Sequence, residues 1–173
     1  MNAEQATFLT NYLTGLIERE SAATAKVLAA VPDEGKNYKP DDKSRSAWEL
    51  ATHLATADVW FLQSIIDGGF QWNPDAAKQA QAQFKTVADV VAFYQREVPA
   101  RLATLRSLSG DTLSRNVDFF GMMQQPAAWF LGMANNHSAH HRGQLAAYLR
   151  AAGSKVPAIY GDSADEPMAA ASA

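Results

Sequence analysis

The chain has 173 residues, a formal net charge of −3 and no cysteine. That length fits one domain with a sizeable core, and an apolar content of 47% argues against disorder. The lack of a basic run excludes nucleic-acid binding by phosphate neutralisation, and the lack of cysteine excludes disulfides and cysteine-ligated zinc. No positive segment precedes an apolar core at the N-terminus, and charge interrupts each apolar stretch. The expectation is therefore a cytoplasmic protein with no membrane partner.

The first predicted helix covers about residues 3–30, where Phe8, Leu9, Tyr12, Leu16, Val27 and Leu28 recur near helical spacing. Pro32, Gly35 and Pro40 stop it in a polar loop. The second opens on Ser46-Ala47-Trp48-Glu49, a capping-box pattern, and runs through His53, Leu54, Trp60, Phe61 and Ile65 to Gly68-Gly69. Residues 70–84 read as a connector with a short helical turn after Asn73-Pro74. A third helix starts near Thr86, with Asp89 as a weaker capping partner, and Pro99 should kink or split it. Gly110-Asp111 ends it, and residues 116–123 read as two short β-like segments or an irregular crossing. The fourth helix is expected from about Pro126, as a first-turn proline, to Ala152, with Gly153 as its stop. Four long amphipathic helices make an all-α, four-helix bundle, with up-down-down-up connectivity as plausible as simple up-down. The domain spans residues 1–155, and residues 156–173 form a loosely attached tail.

The four histidines carry the chemistry. His53 lies in the second helix, and His137, His140 and His141 lie in the fourth. Positions i and i+4 share a helix face, so His137 and His141 stand one above the other, with Gln144 on the same stripe. His140 sits on the shoulder, and its i, i+3 spacing from His137 also permits chelation. Neutral imidazole is the commonest metal ligand, and a pair on one helix plus one histidine on another makes a three-nitrogen site. A single histidine on an apolar helix is more often structural, but here all four fall in two helices. Glu49, one turn before His53, competes as a ligand, although its cap role is favoured. Arg142 and Gln144 flank the stripe as groups that orient ligands or substrate. Asp58 is off that face and reads as solvated, while Trp48, Trp60, Trp129 and Phe130 read as core.

The string His137-x-x-His140-His141-Arg142-Gly143-Gln144-Leu145, with Trp48-Glu49-Leu50-x-x-His53-Leu54 upstream, resembles the DinB-like (damage-inducible) family. The segment Val156-Pro157-x-Ile159-Tyr160-Gly161-x-Ser163-Ala164-Asp165 is similar to the C-terminal segment of one branch. The resemblance implies an up-down-down-up bundle and a divalent metal ion held by His53, His137 and His141, with His140 outside the ligand set. Three imidazoles suit zinc, nickel, iron and copper alike, and zinc, nickel or iron is the expected ion. It also implies a homodimer and a thiol-dependent S-transferase or isomerase acting on a small molecule with an external low-molecular-weight thiol such as bacillithiol or mycothiol. Competing expectations are a metal-dependent hydrolase with Glu49 as base, a non-catalytic metal-binding or stress-response protein, and a helical dimerisation module with incidental histidines.

Overall fold

The computed structural model describes residues 1–167. Four long helices, α1 (Ala3–Ala29), α2 (Ala47–Asp67), α4 (Val87–Ser107) and α6 (Phe130–Leu149), form a bundle. Between them lie the short helices α3 (Pro74–Ala82) and α5 (Gly110–Ser114), and a hairpin of β1 (Asn116–Phe119) and β2 (Met123–Pro126). Each long helix buries a stripe at three- and four-residue spacing: Leu50, Leu54, Phe61 and Ile65 on α2, and Val90, Tyr94, Val98, Leu102 and Leu105 on α4. Residues from all four helices join one apolar core.

Side-chain pairs fix the directions. Arg106 of α4 meets Thr14 and Glu18 of α1, while Tyr94 faces Thr24, so those helices are antiparallel. Arg142 of α6 meets Glu20 and Thr24, and Ala134 lies by Ile17, so α1 and α6 are parallel. His53 and Asp58 of α2 meet His141 and Ser138 of α6, an antiparallel pair. Hence α2 and α4 run the same way, and the connectivity is up-down-down-up.

The capping boxes at Ser46/Glu49 and Thr86/Asp89 both form. The left-handed φ of Gly68, 73°, ends α2 at a conformation in which a Cβ would be strained. Pro99 neither splits nor ends α4; it faces solvent, where water can satisfy the carbonyl that its missing N–H leaves free. Gly110 opens α5, whose N-cap is Ser109, instead of closing the preceding helix, and glycine is needed there because a Cβ would lie 2.4 Å from the Ala3 carbonyl oxygen. Pro126 is not a first-turn proline: it pairs with Asn116 in the hairpin, and α6 starts at Phe130 after a single 3₁₀ turn.

The C-terminal segment is not loosely attached as far as Pro167. Arg150 and the Val156 N–H both donate to Asp165, the Ala158 N–H donates to Glu166, and Ala158 is buried. Residues 168–173 lie outside the described residues. None of the described helices is long and apolar enough to cross a membrane.

Candidate metal centre

α2 and α6 pack antiparallel, and this brings His53 against the His137–His141 stripe. One ring nitrogen from each of the three lies within 4.8 Å of the others, and each residue is half-buried. The Nε2 atoms of His53 and His141 are 3.2 Å apart. Two nitrogens bonded to one tetrahedral zinc at ~2.05 Å would be separated by about 3.3 Å. Three soft-to-borderline nitrogen donors at this spacing fit a divalent transition ion.

Two of the rings are oriented by neighbours. Gln144 Oε1 is 2.8 Å from His141 Nδ1. An amide oxygen only accepts, so Nδ1 carries the hydrogen and the Nε2 lone pair is turned towards His53. His137 Nδ1 is buried without a hydrogen-bond partner, and 3.9 Å away is Asp58 Oδ1, also buried and unpartnered. Asp58 is thus not solvated: it is 6% exposed, and its Oδ2 accepts from Tyr94 Oη at 2.9 Å and Ser138 Oγ at 2.7 Å. The Tyr94 phenol is pushed well above its ordinary value, first by burial and then by Asp58, so it keeps its proton and donates. Sequence reasoning missed Asp58 because its 140° offset from His53 on the helical wheel conceals that α6 brings His137 to that second face. A lone acid amid Ala55, Ala57, Val59 and Phe61 was the available signal.

Electrostatics favour the ligand form. Burial lowers the His53 pKa to about 3, helped by Arg45, His141 and His137. The same desolvation lowers His141, assisted by its histidine neighbours and opposed by the Gln144 hydrogen bond. Both imidazoles are therefore neutral at pH 7, as coordination requires.

The other candidates sort clearly. His140 is exposed and only leans on the His141 ring, at 5.0 Å between centroids. Glu49 is the cap: its carboxylate accepts from the Ser46 N–H at 2.7 Å and lies 3.7 Å from Lys39, which leaves the expected hydrolase without its base. Arg142 points away from the histidines. It is 2% exposed and binds the Glu20 carboxylate at 2.7 Å, the Glu20 carbonyl and the Tyr160 hydroxyl. Burial opposes the charge on Glu20, but hydrogen bonds from Tyr160 and Arg142 outweigh it and hold that carboxyl below its ordinary value. Trp129 is 40% exposed rather than core.

Two clefts reach the histidines, one at His53 and one at His141. One, of about 260 Å³, lies beneath α3 and is bounded by His53, Trp60, Trp72, Ala77 and Ala80. The other, of similar volume, reaches His141 past Arg45, Gln144 and Tyr148.

The DinB family model matches residues 7–169. The chain belongs to the DinB family. Among DinB relatives, it is 30% identical over 150 residues to the uncharacterized protein YrdA of Bacillus subtilis (strain 168), covering 86% of each chain. A DinB-like protein from Bacillus cereus superposes with a TM-score of 0.70 at 24% identity, over 86% of this chain and 95% of that one. A mycothiol-dependent maleylpyruvate isomerase shares the fold, with a TM-score of 0.58 at 16% identity, over 84% of this chain and 61% of the isomerase. This DinB chain thus has the bundle that its histidine pattern implied.

Proposed function

We propose that this DinB protein binds one divalent ion through His53, His137 and His141 and acts as a metal-dependent enzyme that uses an external low-molecular-weight thiol. The observation that carries the reading is the convergence of three imidazole nitrogens from two helices within 4.8 Å. A fold neighbour whose name makes it mycothiol-dependent supports the thiol, and the absence of cysteine from the chain leaves the thiol to come from outside. Zinc, nickel and iron each suit the donor set.

Held by His53, His137 and His141, the ion would supply Lewis acidity that favours the thiolate form of a thiol at neutral pH. The chain's own groups do the rest. Gln144 fixes the tautomer of His141, and Asp58 faces the Nδ1 edge of His137 so that Nε2 is the free donor. Trp60, held by its indole N–H on the Gln71 carbonyl at 3.0 Å, walls the cleft at His53. An open cleft at the histidines favours catalysis over sequestration of the ion. A homodimer belongs to the same reading, and the exposed Phe8 and Tyr12, one turn apart on α1, are the apolar groups a second copy would cover.

The test is thiol consumption by zinc- or nickel-loaded protein against a panel of electrophiles. Turnover that exceeds the His141→Ala protein and needs the thiol supports the proposal. Equal rates in the two proteins, or turnover of esters with no thiol present, refute it.

A further inference from the structure

The two clefts at the histidine cluster differ in chemistry. The cleft on the His141 side carries Arg45 with Ser44, Gln144 and Tyr148. The cleft beneath α3 has no charged side chain in its lining: His53, Thr56, Ala57 and Trp60 of α2, three alanines and Gln81 of α3, and Trp72 with its neighbouring amides complete it.

That second cleft is built rather than incidental. Trp60 is fixed from three directions: by the Gln71 carbonyl, by the edge of Trp72 with centroids 5.7 Å apart, and by Phe120, which stacks parallel at 6.5 Å. Phe120 holds this place from a left-handed φ of 55°, a conformation that costs a bulky residue energy. Ala76, Ala77 and Ala80 also line the cavity, so α3 borders the space with side chains too small to fill it. α3 buries none of its own residues, and Trp72 stays 56% exposed, so neither is spent on the core. A cavity of about 150 Å³ lined by apolar groups holds benzene. By that measure, about 260 Å³ has room for a bicyclic ring.

We propose that the cleft beneath α3 binds an uncharged aromatic or alkyl group of up to bicyclic size, with the reacting end of the molecule at His53. This rests on the proposed function for the identity of the reaction, though not for the occupancy of the cleft. Apart from an ion on the histidines, the lining offers a carboxylate no cation, and burying an unpaired charge is strongly unfavourable. Charged parts of either reactant are directed to the Arg45 side.

The experiment is calorimetric titration of the metal-free full chain with 1-naphthalenemethanol and with 1-naphthoate, which share a ring system and differ in charge. The alcohol binds, and the carboxylate binds roughly tenfold or more weakly. Ala80→Phe and Ala76→Phe plug the cleft and abolish binding of the alcohol. Both lie on a helix with no buried residue, so the fold and metal stoichiometry persist. Naphthoate binding as tightly as the alcohol, or undiminished alcohol binding in both folded variants, overturns the proposal. Alcohol binding that survives in the wild type while the protein takes up no metal supports the cleft assignment and counts only against the metal reading.

Discussion

At the scale of single residues, the site depends on groups that hold rings rather than on ligands alone. Asp58 is anchored on one oxygen by two buried donors and presents the other to His137. Asp58→Asn keeps the size but places either a weaker acceptor or an amide N–H towards Nδ1. Metal affinity should fall about 10- to 100-fold, as is usual when an outer partner of a ligating histidine is lost. Competition against a chromogenic chelator measures this, and unchanged affinity would remove Asp58 from the account. The depressed pKa of His53 predicts a pH effect on the metal-free protein. The unfolded chain takes up that proton near pH 6.5, whereas the folded chain does so only at about 3. Protonation thus favours unfolding, and stability declines as pH falls from about 6.5 towards 3. Melting temperatures across that range should drop less steeply in His53→Gln than in the wild type. Parallel slopes would contradict the shift.

At the scale of elements, what was legible in the sequence was what is local. Ser46 and Glu49 satisfy each other's backbone neighbours within one turn, so the start of α2, and with it the phase of His53, follows from four consecutive residues. Ser46→Ala should cost about 1 kcal/mol in denaturant unfolding. A change near zero would show that packing alone sets this end of α2. The histidine stripe was legible for the same reason, since i, i+4 geometry needs no knowledge of the fold. Asp58 and Arg142 were misread because their partners lie 80 and 122 residues away and only the packing of α6 selects them. Pro126 fits either a first helical turn or a strand end. The choice was made by residues 116–119, which pair with its strand.

At the scale of the whole molecule, Arg142 joins three parts of the chain. It links α6 to α1 through Glu20 and to the C-terminal segment through Tyr160, whose hydroxyl also donates to Glu20. This knot lies on a different face of α6 from the histidine stripe, so it supports the bundle that positions the histidines. Arg142→Met retains much of the volume but leaves the Glu20 carboxylate without its cation. Stability should fall by about 3 kcal/mol in chemical denaturation, towards the lower end for a broken buried pair because Glu20 retains some exposure. Metal stoichiometry of the folded fraction should not change. A loss of metal at full folding would mean that Arg142 acts on the site after all.

Antiparallel α2 and α6 make three imidazoles converge, and the proposal is that they hold one ion. Elemental analysis of the purified full chain after incubation with zinc, nickel and iron salts and removal of excess metal tests it most directly. The account predicts about one divalent ion per chain in the wild type, and almost none in His53→Ala, His137→Ala or His141→Ala proteins that stay helical. A folded wild-type chain with no stoichiometric ion, or folded variants that keep one, would contradict it.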